Sequence, residues 1–194
     1  MPAVCEDTLH SVISRMKPNC ATAIKYQENR YLSLMTDKWT GSGSFYAVLP
    51  DTMIKEQQFP EKELMAIRGN SLFYFNQESG QKHQGEITDL DDQTQYIAIF
   101  KALLTGDLAL ISKLYEIEFL GKPSGWVITL STKKNATSNE GVKVIMRGLP
   151  EQPANGMELN MADGDRTEFL LSPATSGEAV KSTVKTLFDL LGAN

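Results

Sequence analysis

The sequence has few of the side chains that carry enzyme chemistry. It contains two histidines and two cysteines in 194 residues, and neither His10 nor His83 belongs to an HExxH, HxH or His/Cys cluster. A zinc site or a histidine general base is therefore not indicated. No GxSxG elbow is present, and a serine triad would have to recruit one of the same two histidines. We expect no catalytic residue, no metal and no cofactor.

Positive charge and long apolar runs are scarce as well. The net charge is -5, which argues against nucleic acid as a partner, because binding to phosphates depends on cationic side chains. The apolar run at 97–104 is far shorter than the roughly 20 residues that cross a bilayer, so we expect no membrane span. No basic and apolar leader opens the chain, which leaves a cytosolic protein or one whose signal peptide has been removed.

The glycine clusters do not form a phosphate-binding motif. Gly41-Ser42-Gly43 and Gly164-Asp165 lack the order of strand, glycine-rich turn and helix that P-loops and dinucleotide sites require. We interpret both clusters as hairpin turns.

The two cysteines, Cys5 and Cys20, bracket the first apolar-periodic stretch and allow two interpretations. A disulfide between them would tie a helix to the first strand in an oxidising compartment and would stabilise the fold by about 3 kcal/mol. Two buried free thiols are the alternative. The spacing is not CxxC, so a redox or zinc role is not indicated.

What the sequence does contain is a series of short strand signals separated by turn residues. A helix at about 7–17 comes first, because its apolar residues recur at helical spacing and Pro18 ends it. Alternating or apolar runs then predict strands, with Gly69-Asn70 as a tight hairpin turn. These strands lie at 21–34, 44–49, 53–59, 63–68, 71–76 and 82–88.

A helical insertion interrupts the strands. Apolar residues at helical spacing predict lid helices at about 96–114, broken at Gly106-Asp107, and a terminal helix at about 177–191. We predict a single domain over 1–194, α+β and mostly β, with a large curved antiparallel sheet that forms an incomplete barrel and helices that cover its concave side. A closed barrel filled by the helices is the alternative. The later strands are predicted at 115–120, 126–131, 142–147, 157–162 and 166–171.

The side chains predicted to face the interior are apolar rather than catalytic. Methionine in several strands suits a cavity for ligands of variable shape, and the broken helices could cover it as a lid, although ordinary core packing would also explain these residues. A register slip of one residue would move every assigned side chain to the other face. The predicted cavity and lid residues are Leu49, Met53, Met65, Ile67, Phe73, Phe75, Ile97, Phe100, Leu103 and Leu104.

Glu28 and Arg30 alternate with apolar residues along the first predicted strand. They could form a salt bridge inside the cavity, or they could lie at the rim of the sheet.

The order of these motifs resembles that of the LolA-like family of periplasmic outer-membrane lipoprotein carriers, a fold shared with LolB and RseB. The resemblance covers about residues 8–172. It rests on Gly43 with its aromatic strand and Pro50, on Phe59-Pro60, on the hairpin at 69–76, on 100–107 with Phe119 and Gly121, and on the strand at 126–130.

The resemblance implies a hydrophobic cavity for acyl chains, a removed signal peptide and an oxidising periplasm, which favours the disulfide between Cys5 and Cys20. The family's latch arginine is replaced here by Leu49. We expect a monomeric carrier of a lipoprotein or related lipid that works between an inner-membrane donor and an outer-membrane acceptor. The alternative is a regulatory module of the same fold that senses lipoproteins or unfolded envelope proteins. A lipid hydrolase would need a base that the sequence barely offers.

Overall fold

The computed structural model describes residues 7–18, 20–86, 102–103, 106–133 and 141–192. The helices in these ranges are α1 (Leu9–Met16), α2 (Leu108–Leu114) and α3 (Glu178–Leu191). The first strands are β1 (Thr22–Tyr31), β2 (Trp39–Val48), β3 (Thr52–Phe59), β4 (Glu63–Arg68), β5 (Ser71–Asn76) and β6 (Lys82–Glu86). The remaining strands are β7 (Tyr115–Lys122), β8 (Gly125–Thr132), β9 (Lys143–Gly148), β10 (Ala154–Asn160), β11 (Arg166–Leu171) and β12 (Thr175–Ser176).

The strands form one antiparallel sheet built from two meanders. The order across the sheet is β6-β5-β4-β3-β2-β1-β11-β10-β9-β8-β7, and β12 adds to the start of β1. The meanders join where β1 pairs with β11, from Tyr26 opposite Leu171 to Tyr31 opposite Arg166. Within the described residues β6 and β7 do not pair, so the sheet is open. The predicted mostly-β fold is confirmed, and the closed-barrel alternative is wrong.

Helix α1 begins with a reciprocal cap. The Thr8 hydroxyl accepts a hydrogen bond from the Ser11 backbone N–H at 3.2 Å, and the Thr8 N–H donates to the Ser11 hydroxyl at 3.0 Å. Such a capping box satisfies two backbone donors that the first turn leaves without intrahelical partners. The helix buries Val12 and Ile13 and ends before Pro18, close to the predicted bounds.

Strands β4, β5 and β11 have the predicted bounds, and Gly69 has the positive φ of 59° expected at the tight hairpin. The prediction of a turn at Gly41-Ser42-Gly43 is wrong, because these residues lie inside β2. A Cβ atom on Gly41 would lie 2.3 Å from the Trp39 ring, and one on Gly43 would lie 1.9 Å from the Glu56 carbonyl oxygen. The glycines therefore permit close packing within the sheet rather than a change of direction.

The sheet has two differently covered faces. We call the inner face the one whose side chains join the larger core cluster, with contributions from β1–β5, β7–β11, α1 and α2. The outer face carries a smaller cluster, formed by strands at the β1–β5 side and by α3. Helices α1 and α2 thus share one face as expected, whereas α3 lies on the opposite face.

Candidate ligand-binding pocket

A cavity of about 220 Å³ opens on the inner face, between the end of α1, the start of β1 and strands β9 to β11. It draws on both meanders because β1 and β11 are paired. Most of its lining is apolar. The apolar lining residues are Met16, Pro18, Ile24, Phe45, Leu103, Met146, Pro153, Ala154, Met157, Leu171 and Ala174.

The strand register explains why these side chains converge. Ile24 on β1 lies directly opposite Phe45 on β2, and Met157 on β10 lies opposite Met146 on β9. Leu103, only 2% exposed, adds apolar surface from the helical segment before α2. Methionine side chains adapt to irregular shapes, so this lining suits a flexible apolar ligand.

Three aromatic rings pack together on the inner face beside the pocket. The centroid of Phe45 lies 4.6 Å from that of Tyr26 and 5.6 Å from that of Phe169, and Tyr26 and Phe169 are 5.6 Å apart in an edge-on arrangement. Phe45 lines the pocket itself. The rings therefore form an apolar wall on one side of it.

A buried ion cluster lies against the same aromatic rings. Glu28 is 2% exposed and accepts hydrogen bonds from Lys55 Nζ at 2.7 Å and from Arg30 Nε at 2.6 Å. The Lys55 ammonium lies 5.3 Å from the Tyr26 centroid and 5.4 Å from that of Phe169. The predicted Glu28 and Arg30 salt bridge thus lies on the inner face, but neither residue lines the pocket.

Burial dominates the electrostatics of this cluster. It lowers the pKa of the Lys55 ammonium, and the Glu28 carboxylate opposes that change. Burial also raises the pKa of the Tyr26 phenol. Along β1, the inner face therefore changes from an apolar surface at Ile24, through the aromatic wall, to paired charges at Glu28.

The structure distributes the predicted cavity and lid residues among several places. Leu103 lines the pocket. Met53 and Ile67 are buried in the inner cluster and Met65 packs against it, outside the pocket lining. The exposed Leu49 follows β2. Phe73 and Phe75 pack on the outer face with α3, and Ile97, Phe100 and Leu104 lie outside the described residues.

The register of the β4–β5 hairpin explains the position of the two phenylalanines. The two-residue turn places Ile67 opposite Leu72, so Phe73 lies opposite Ala66 on the outer face. The expectation that Phe73 and Phe75 share a face with Ile67 is therefore wrong. Because both faces of this hairpin are apolar, alternation could not identify the inner one.

Sequence reasoning missed the principal walls of the pocket. Met146 and Met157 carried a signal, because both are methionines in predicted strands. Ile24 and Phe45 could be assigned to strands, but nothing in the sequence pairs β1 with β11 and brings those residues to β9 and β10.

The chemistry of the remaining described residues is sparse. Cys20 is exposed and lines the pocket, whereas its predicted partner Cys5 lies outside the described residues, so the disulfide stays a prediction. No group of three or more His, Cys, Asp and Glu side chains that could hold a metal ion occurs in the ranges that the structure describes. None of the helices in those ranges is long and apolar enough to cross a membrane.

Comparison with known proteins gives a family match and several fold matches. The family model described as outer membrane lipoprotein carrier protein LolA-like matches residues 3–191. No curated protein matches the sequence. A LolA superfamily protein from Nitrosomonas europaea is 10% identical, with 88% of this chain and 92% of that one covered and a TM-score of 0.46. The lipoprotein LppX of Mycobacterium tuberculosis is 9% identical, with 89% and 95% covered and a TM-score of 0.46. MucB, solved in complex with MucA, is 7% identical, with 88% and 54% covered and a TM-score of 0.39.

Proposed function

The chain belongs to the outer membrane lipoprotein carrier protein LolA-like family, and on this premise we propose that it is a periplasmic carrier rather than an enzyme. It takes acyl chains of a lipoprotein or related envelope lipid from an inner-membrane donor and delivers them to an outer-membrane acceptor. The observation that carries this proposal is the apolar pocket of about 220 Å³ on the inner face.

The size and lining of the pocket are suited to reversible binding of an acyl chain. Burying each methylene group contributes about 0.8 kcal/mol, so even part of one chain gives useful affinity. The volume is below the roughly 300–1,000 Å³ of common ligand sites. A larger cargo therefore requires lining side chains such as Leu103 to rearrange, and the same rearrangement would permit release.

The direct test is to fill the pocket. Ala154 lines it at the start of β10, and Ala154→Phe places an aromatic ring in the space of the ligand. We expect the variant to lose most uptake of a fluorescent acyl probe while it keeps a cooperative thermal unfolding transition. Asn155→Phe is the matched control, because Asn155 is the exposed neighbour of Ala154 and does not line the pocket. Equal uptake of the probe by the two variants would show that this pocket is not the acyl-binding site.

Native mass spectrometry of protein purified from its own envelope tests the function as a whole. We expect a co-purifying lipid or lipoprotein that is depleted in Ala154→Phe. Absence of bound lipid together with no uptake of the acyl probe by the unaltered protein would overturn the carrier function. Stable binding of a partner protein without acyl uptake would instead support a regulatory module of the same fold.

A further inference from the structure

The charged side chains at the pocket have one sign, although the chain as a whole is acidic. Its net charge is -5, but the charged residues among the described lining are Arg15 and Lys17, both cations at the end of α1. The polar residues Thr22 and Ser176 also line the pocket. The pocket thus combines an apolar wall with a polar, cationic part.

The two cations differ in whether they already have an anionic partner among the described residues. Arg15 forms an ion pair with Asp7, which also accepts a hydrogen bond from the Glu151 backbone N–H at 3.0 Å. That backbone hydrogen bond and the Arg15 guanidinium keep the pKa of Asp7 low, so the carboxylate stays ionised. Lys17 is exposed and forms no ion pair with the described residues. Lys17 is therefore the lining cation whose charge no described residue neutralises.

Arg15 also has an unused donor. Its Nε atom is buried and donates to none of the described residues, although another nitrogen of the same guanidinium holds Asp7. A buried donor without an acceptor is energetically unfavourable. A ligand oxygen at this point would remove that cost. The C-terminal end of α1 adds a partial negative charge of about half an electron, which the full charge of Lys17 exceeds.

We propose that the pocket binds a single-chain anionic amphiphile, with its tail against Phe45, Met146 and Met157 and its anionic headgroup at Lys17 and Arg15 Nε. This inference rests on the proposed function and narrows its cargo to one acyl chain with a carboxylate or phosphate group. The limited volume favours one tail over several, and the sign of the lining charges favours an anion over a neutral or cationic headgroup.

Matched ligands separate the headgroup from the tail. Binding of palmitate, a palmitoyl lysophosphatidic acid and hexadecanol is measured by displacement of a fluorescent acyl probe from the full chain. We expect both anions to bind at least about tenfold more tightly than the alcohol, the ratio that a hydrogen bond to a charged group supplies. The two anions distinguish a carboxylate from a phosphate as the preferred group. Equal affinity for all three ligands would overturn the headgroup site and leave the acyl carrier intact, whereas no binding of any would overturn both.

Matched variants locate the headgroup. Lys17→Glu should weaken binding of the preferred anion at least about tenfold and change binding of hexadecanol less than about twofold. Lys25→Glu makes the same change of charge on an exposed lysine that does not line the pocket, and it should leave both affinities unchanged. Arg15→Lys keeps the cation but removes Nε, and it should weaken the anion alone. If Lys17→Glu and Lys25→Glu have the same effect, or if neither Lys17→Glu nor Arg15→Lys weakens the anion, the proposed headgroup position is wrong.

Discussion

The two faces of the sheet are covered in contrasting ways. On the outer face, α3 is one continuous helix of 14 residues whose apolar stripe is buried against the β1–β5 side. On the inner face, the described helices are α1 with 8 residues and α2 with 7, and Leu103 is buried with them in the larger core cluster. The pocket lies on this face, beside the end of α1. We infer that α3 supports the sheet from the outer face and that ligand binding is confined to the inner face.

Aromatic and cationic contacts hold the outer cover in place. Phe188 on α3 packs edge-on against Phe73 with centroids 6.2 Å apart, and the Arg68 guanidinium lies 3.7 Å from the centroid of the Phe188 ring. Lys82 Nζ donates to the Leu190 carbonyl near the end of the helix, and Gly192 ends the helix with a φ of 75°. Phe73, which the sequence assigned to the cavity, thus packs against α3 instead.

The largest effect is expected from truncating the most buried aromatic side chain of α3, the helix on the outer face. Phe188→Ala deletes a ring that is 2% exposed and should reduce the free energy of unfolding by about 4 kcal/mol, because such a truncation leaves a cavity. Urea denaturation measures this loss. Leu190→Ala, at an exposed position of α3, should cost less than about 1 kcal/mol.

The same Phe188→Ala protein tests whether the two covers act independently. At a temperature where it is folded, its affinity for an acyl probe should equal that of the unaltered chain, because Phe188 does not line the pocket. A large loss of affinity in folded protein would show that α3 shapes the pocket and would contradict the contrast.

A second comparison concerns charge on the two faces. Glu28→Gln removes the carboxylate that holds Lys55 and Arg30 on the inner face and should cost about 3 kcal/mol, since the buried ammonium loses its counter-charge. Glu168→Gln is the outer-face control, because its pair with Arg166 at 3.3 Å is partly exposed and should contribute at most about 1 kcal/mol. Thermal unfolding of both variants gives the difference. Equal losses would mean that the inner cluster is solvated like the outer pair. Adding Lys55→Met to Glu28→Gln should recover part of the loss.

The smallest expected effect comes from two tyrosines, one on each face. Tyr46 on the outer face donates to Glu56 Oε2 at 2.8 Å, whereas the buried Tyr115 hydroxyl on the inner face has no partner among the described residues. Tyr46→Phe should cost about 1 kcal/mol at pH 8 and Tyr115→Phe less than about 0.5 kcal/mol. Chemical denaturation of the two variants at pH 8 compares them directly. A larger cost for Tyr115→Phe would show that its hydroxyl has a partner.

Both tyrosines should make stability depend on alkaline pH. Burial raises the pKa of Tyr115 to about 12, and burial together with the hydrogen bond to Glu56 raises that of Tyr46 to about 12. An unfolded tyrosine ionises near pH 10, so each residue's contribution is complete below pH 10 and is lost as the pH rises toward 12. Each phenylalanine variant should therefore lose less stability between pH 10 and 12 than the unaltered chain does. An unchanged slope would contradict the assigned burial.

The bounds of several strands could be predicted from the sequence. The face of the sheet on which a side chain lies, and the contacts between elements far apart in the sequence, could not. Strands β4 and β11 were predicted with their observed bounds because turn residues flank apolar runs. Gly41 and Gly43 were misassigned because a glycine that makes room for a ring, as Gly41 does for Trp39, or for a backbone carbonyl, as Gly43 does for Glu56, resembles a turn glycine in a single sequence. Phe73 was misassigned because α3, more than 100 residues later, covers the second face of its strand.

Prediction of the pocket lining likewise required knowledge of which strands, far apart in the sequence, lie side by side. Leu103 was predicted from helical spacing and does line it. Phe45 and Met157 belong to separate meanders that only the pairing of β1 with β11 brings together. Lys17 belongs to no sequence motif. Its proposed role depends on its position at the pocket, which the sequence alone does not reveal.

An open sheet leaves two strands with unpaired backbone groups, and such edges invite other chains to polymerise on them. Strand β6, at one end of the described sheet, reads Lys82, His83, Gln84, Gly85 and Glu86, and all five residues are exposed. Charged and polar side chains with a glycine make a poor template for further strand addition. The composition of β6 therefore disfavours the addition of further strands at this end of the sheet.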